Sequence, residues 1–173
     1  MASVELRLLG GFEARSAQGR SIDVPAQKNR ALLAILALSP DACQSREKLA
    51  SLLWSDRGDR QARDSLKHSL TSLRHSLTVT PPLVVTDREC VKLDLTVVTT
   101  DVLDFERLIA EDTLEALEQA VMLYRDDLLH GINIRDPAFE QWLRVERQGV
   151  VSGRSTGPRC RTRPAAAHAR SAS

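Results

Sequence analysis

Residues 60–77 read RQARDSLKHSLTSLRHSL, and the fold turns on them. At 100° per residue, Ala62, Leu66, Leu70, Leu73 and Leu77 fall on one narrow arc, the buried stripe of an amphipathic helix. Arg60, Arg63, Lys67 and Arg74 gather on a neighbouring arc, which His68, Thr71 and His75 extend. Asp64 is the single acid inside the stretch, so the helix carries +3 with its histidines neutral. One side can dock on a core while another offers long cations and short hydrogen-bonding side chains to a polyanion. That is the pattern of a DNA recognition helix. On this helix alone a solvated basic face explains it equally well, so the neighbouring sequence has to decide.

A chain of 173 residues suits one domain, or a small domain joined to part of a second. Hydrophobic residues at 42% and charged residues at 27% are ordinary for a globular protein, and aromatics at 3% leave the core to Leu, Val, Ile and Ala. No apolar run approaches the roughly 18 residues that a membrane helix needs, and no signal-peptide pattern precedes the first strand-like segment. Cys43, Cys90 and Cys160 are odd in number and far apart, which points to reduced thiols in a cytoplasmic protein rather than a disulfide framework. The net charge of +1 conceals a segregation: residues 1–98 carry +3, residues 99–148 carry −7 and residues 149–173 carry +5. Such asymmetry suggests a nucleic-acid-binding part joined to something else.

In chain order, residues 4–14 read as a strand with a bend at Gly10-Gly11, and residues 21–24 as a short strand ended by Pro25. Together they make a small antiparallel platform. Residues 26–38 form a nearly all-apolar, central helix stopped by Ser39-Pro40. Ser45 caps a second helix running through Trp54, a polar loop follows, and the basic helix comes next. Residues 83–86 and 90–95 form a β-hairpin. Helix, turn and basic helix followed by a hairpin is the order of a winged helix-turn-helix.

At this point residues 1–98 resemble the OmpR/PhoB-type winged-helix domain as carried by SARP-type bacterial transcriptional activators. The resemblance rests on LRLLGGFEA at 6–14, QKNRALLAILAL at 27–38, SREKLASLLW at 45–54, ARDSLKHSLTSLRHSL at 62–77 and the hairpin at 83–95. It continues through TTDVLDFERLI at 99–109 and AVMLYRDDLLHGINIRDPAFEQWLRVERQ at 120–148, which are similar to the start of that family's bacterial transcriptional activation domain. The resemblance implies base-reading roles for Lys67, His68, Thr71, Ser72 and Arg74, and backbone contacts from Arg63 and Lys28. Arg60 and His75 share the same basic face, while Arg88 or Lys92 would reach phosphates from the wing. Lys and Arg neutralise phosphates or donate to guanine edges, and Thr and Ser can bond either way. Family members commonly carry more Arg at 71, 72 and 75, where this chain has Thr, Ser and His; fewer cations against the phosphates means lower affinity and a shallower salt dependence. The resemblance further implies double-stranded DNA as partner, bound by homodimers or tandem copies on repeated sites, with RNA polymerase a second candidate partner.

Residues 99–148 read as an all-α, helical-repeat-like segment. Asp101 is expected to cap a short helix burying Val102, Phe105, Leu108 and Ile109. Asp112 with Glu115 is expected to form a capping box for a second, whose stripe is Leu114, Leu117, Val121, Tyr124 and Leu128, ended by Gly131. Asp136-Pro137 starts a third, with Phe139, Trp142 and Leu143 on one side. The acids lie opposite the stripes, on what is mostly a solvated face. Near Gly149 the chain departs from the family. Residues 149–173 are expected to be a disordered basic tail, since no Leu, Ile, Phe or Tyr follows Val151. A frameshift explains its Arg, Ala, Pro, Gly and Ser, all with G+C-rich codons; a genuine basic tail is the alternative, and sequencing the locus separates the two. A helical array cut short should leave the apolar sides of 114–128 and 139–143 partly uncovered.

Sites of other chemistry are missing from the sequence. There is no GxxxxGK[ST], GxSxG or HExxH and no pair of Cys-x-x-Cys motifs, and His68 and His75 have no third ligand at metal-binding spacing. No catalytic residue, metal or cofactor is expected. The leading expectation is an α+β winged-helix regulator that reads the major groove. The alternatives are a protein-interaction module and a degenerate, truncated regulator that no longer binds DNA.

Overall fold

The structure, a computed structural model, describes residues 4–78 and 81–152. At its centre lies α1 (Gln27–Leu38), whose residues 31–36 are at most 1% exposed. A helix apolar on nearly every side can be buried all round, and Pro40 ends it as expected. Around it pack α2 (Arg46–Leu53) and α3 (Asp59–Ser76). Ser45 caps α2, its Oγ accepting the Lys48 amide at 3.1 Å. The stripe read from the sequence is the buried one: Ala62, Leu66, Leu70, Leu73 and Leu77 are each at most 5% exposed.

Two small sheets flank the helices. In the first, β1 (Val4–Arg7) runs antiparallel to β2 (Glu13–Ser16) and parallel to β6 (Val98–Thr100), with Leu6 opposite both Ala14 and Thr100. The expected strand over 4–14 is thus two strands. Gly10, at φ +109°, lets the chain double back where another residue would be strained. The expected strand at 21–24 does not form: Ser21 makes only an isolated bridge to Arg15, and Pro25 has no amide with which to extend the pairing. In the second sheet β4 (Val84–Thr86) and β5 (Cys90–Leu93) make the expected hairpin, and β3 (Cys43–Ser45) adds to the far side of β5.

Beyond β6 come α4 (Asp101–Glu111), α5 (Leu114–Leu123) and α6 (Pro137–Val151). Their caps differ from expectation in two places. Thr100, not Asp101, caps α4 through the Leu103 amide, and Thr113, not Asp112, caps α5 through the Ala116 amide. Asp112 instead closes α4 in a left-handed conformation, at φ 51°. Asp101 is thereby free to bond far along the chain, and its carboxylate accepts the amides of Leu8 (2.8 and 3.0 Å) and Leu9 (3.0 Å). Asp136 caps α6 with Pro137 behind it, as expected, accepting the Ala138 amide.

The buried face of α5 is also not the expected one. Ala116 and Ala120 pack on Leu108, Phe105 and Ile109 of α4, while Leu114 and Val121 are 71% exposed and Met122 is 81% exposed. Alanines let the two helix backbones close up, and the leucine side is turned away from that contact. The helix ends at Leu123; Leu128 and Leu129 belong to a loop laid over the β1 bend, where the Leu129 amide donates to Leu8 O and the His130 amide to Gly10 O, both at 2.8 Å. Phe139 and Leu143, expected to be partly uncovered, are buried at 1% and 8% exposure because α6 packs on α2. Helix α6 also runs past Gly149, with Val150 buried, so ordered structure extends beyond the expected break. The remainder of the expected tail, with Cys160, lies outside the described residues. One continuous core joins α1, α2 and α3 to Leu128, Leu129, Ile134, Phe139 and Val150.

Candidate nucleic-acid interface

Helix α3 seats its apolar stripe on the core, so its outward arc is fixed. Arg60, Arg63, Lys67, His68, Thr71, Ser72, Arg74 and His75 are all exposed. Helical geometry divides them into a crest and two flanks. The crest holds Arg60, His68, Thr71 and His75, together with the acid Asp64, and Lys67 sits on the shoulder between the crest and Arg74. Thr71 turns its hydroxyl inward, donating to Lys67 O at 3.0 Å. Among the described residues no ion pair neutralises Arg60, Arg63 or Lys67.

Both flanks are tied down. On one, the Arg74 guanidinium donates to Thr86 Oγ1 on β4, which joins the basic helix to the hairpin. On the other, Ser72 Oγ accepts from Asn29 Nδ2 at 3.2 Å, across from α1. Asn29 is 2% exposed, and its Oδ1 has no hydrogen-bond partner among the described residues. Ser72 and Arg74, expected to read bases, therefore already have partners within the fold. Arg57 Nη1 donates to Ser65 Oγ at 2.8 Å and adds a cation before the helix that the sequence reading passed over. Its only sequence signal is a basic residue in the turn entering a basic helix.

Lys28 does not stand free. Its ammonium lies 5.1 Å from the centre of the Trp54 ring, a cation–π distance, and burial pulls its pKa down. On the wing, Arg88 is exposed in the turn between β4 and β5, and Lys92 is exposed on β5 opposite Val85. The Asp87 carboxylate organises that turn, accepting the Cys90 thiol (3.0 Å) and the amides of Cys90 (2.7 Å) and Glu89 (2.8 Å). These bonds hold Asp87 down at about 2, and the same carboxylate, followed by the Cys43 thiol, pushes Cys90 up to about 12. Arg46 adds its side chain to Asp87 O and its amide to Glu89 O, each at 2.9 Å. The wing tip is accordingly pinned to the start of α2.

Two results are expected here. At pH 8, Cys90 should alkylate with iodoacetamide at least about tenfold more slowly than in the unfolded chain, because the thiolate is the nucleophile; Asp87→Asn should recover the rate. Equal rates in folded and unfolded wild type would contradict the Asp87–Cys90 bond. Asp64→Asn, which removes the one acid on the crest, should tighten binding to any DNA duplex by roughly two- to tenfold, read by anisotropy at low salt.

Among the described residues no group of three or more His, Cys, Asp and Glu side chains could hold a metal ion, and no helix is long and apolar enough to cross a membrane. No family model matches the sequence, and no curated protein matches it. Among solved structures, EmbR from Mycobacterium tuberculosis, in complex with a low affinity phosphopeptide, is similar at TM-score 0.70 and 19% identity. The match covers 88% of this chain and 44% of that one. This chain therefore spans less than half the length of that structure. At such identity the likeness is one of fold, and the fold is α+β winged helix with a helical segment attached.

Proposed function

We propose that this chain is a sequence-specific, double-stranded-DNA-binding transcriptional regulator of the SARP type, reading the major groove with α3 while the β4–β5 wing touches the backbone. One observation carries the reading: a helix seated by its apolar stripe presents Arg60, Arg63, Lys67, His68 and His75 to solvent beside a braced hairpin. Lys67 and His68 are the base readers, with Thr71 offering its methyl group and hydroxyl lone pairs; Arg60, Arg63, Arg88 and Lys92 are the phosphate contacts. Activation through RNA polymerase, and paired binding to repeated sites, follow from the family resemblance. So does the division into a DNA-binding part, 1–98, and the beginning of an activation domain, 99–148. The test is anisotropy of the full chain on random and selected duplexes over a range of salt. Sequence-enriched binding that weakens steeply with salt supports the reading, whereas a folded chain without salt-dependent binding rejects it.

The exposed apolar side of α5 favours a protein contact as a second property of the chain. Val121→Lys with Met122→Lys should reduce self-association in sedimentation velocity without altering helix content.

A further inference from the structure

A buried carboxylate connects the helical segment to the turn that launches α3. Asp136, at 1% exposure, accepts the Ser55 amide at 2.8 Å and the Ser55 hydroxyl at 2.7 Å, in addition to capping α6. Ser55 lies in the short turn between α2 and α3, next to Trp54, whose ring is 4% exposed and carries the Lys28 ammonium on one face. Helix α6 packs on α2, and its Phe139 and Trp142 rings meet in a tilted contact at 5.5 Å between centroids. The first two cations of α3, Arg60 and Arg63, stand only five and eight residues beyond Ser55. One carboxylate thus bonds the start of α6 to the turn that leads into the basic end of α3.

We propose that Asp136 and Ser55 are positioning residues for DNA recognition, coupling the seat of the helical segment to the placement of α3. The inference rests on the DNA-binding reading above. A carboxylate that accepts a hydroxyl and an amide from the other side of a junction resists displacement, since separation gives up two charge-assisted hydrogen bonds. The coupling is reciprocal: whatever moves α6 alters DNA affinity, and DNA steadies α6 to the same degree.

The test uses the full chain and a selected duplex, with wild type, Ser55→Ala, Asp136→Ser and the double variant. Serine keeps a helix cap at 136 but is too short to reach Ser55. Ser55→Ala removes only the hydroxyl donor. Each single variant is expected to weaken binding roughly five- to twentyfold, the lower range for coupled sites. The salt slope should be unchanged because every phosphate-binding cation is still in place, and the double variant should be no weaker than the worse single. Circular dichroism at the assay temperature confirms that each protein is folded; if Asp136→Ser does not fold, Ser55→Ala alone decides. A folded Ser55→Ala chain that binds as wild type does overturns the positioning role. A wild-type chain with no salt-dependent binding overturns the DNA reading itself, and the positioning role with it.

Discussion

Asp101→Ala is expected to destabilise the fold by roughly 2–4 kcal/mol, measured by urea denaturation, because it strands the amides of Leu8 and Leu9, and each unpaired buried amide costs about 1–3 kcal/mol. Both leucines are fully buried, so water has little access to replace the carboxylate. The loss should be felt across the molecule, since Asp101 opens α4 while its partners directly follow β1. The pH dependence separates this carboxylate from Asp136. Burial raises the Asp101 pKa, with the Leu8 and Leu9 amides only partly opposing it. A raised folded-state pKa contributes stability that is complete below the unfolded value, about 3.9, and is lost as pH rises through the folded one. The gap between wild type and Asp101→Ala should therefore narrow on going from about pH 4 toward neutrality. For Asp136 burial also acts upward, but the Ser55 hydroxyl and amide and the Ala138 and Phe139 amides outweigh it, leaving the pKa lowered. Its contribution is present above about pH 3.9 and is lost as acid takes the pH down through the folded value. An Asp136→Ser gap that grew on acidification would contradict that assignment.

Arg63→Ala with Lys67→Ala is expected to lower DNA affinity roughly 10- to 100-fold and to reduce the salt slope by about two, one counterion-release step per contact. These two are chosen over Arg74, whose guanidinium is bound to Thr86 and whose removal would also loosen the wing. Lys67 lies nearer the crest than Arg63 and should contribute discrimination between duplexes as well as affinity, so its single variant should flatten sequence preference. Arg63 lies lower on the helix side and should weaken all duplexes alike. A double variant with wild-type affinity and slope would remove α3 from the interface.

Much of this architecture can be read from residue spacing. The stripe from Ala62 to Leu77, the apolar run of α1 and the alternation of Val91 and Leu93 are strong local signals, and the elements formed where those signals lay. The strands β3 and β6 are three residues each, too short to carry a period, and exist because β5 and β1 offer free edges. At 100–101 and 112–113 a threonine and an aspartate stand side by side, either of which can cap a helix. Only the distant Leu8 and Leu9 amides determine that Asp101 is used elsewhere. In α5 the leucines form the more hydrophobic stripe, but close approach to α4 selects alanine, a choice set by the neighbour's shape. The cations of α3 were legible for the same reason as the helix that bears them. The bonds that restrain Ser72 and Arg74 were not, because Asn29 and Thr86 lie 43 and 12 residues away in sequence.

The parallel pairing of β1 with β6 also bears on how the chain comes into being. Val4 finds its partner in Val98, and the Leu8 amide finds its acceptor 93 residues later. During synthesis the first strand must therefore leave the ribosome with one edge bare and wait until residues 98–101 have been translated. Leu6, Leu8 and Leu9 remain available to other partners throughout that interval, so the N-terminal strand is the place where a holding chaperone, or a misfolding neighbour, would engage the nascent protein.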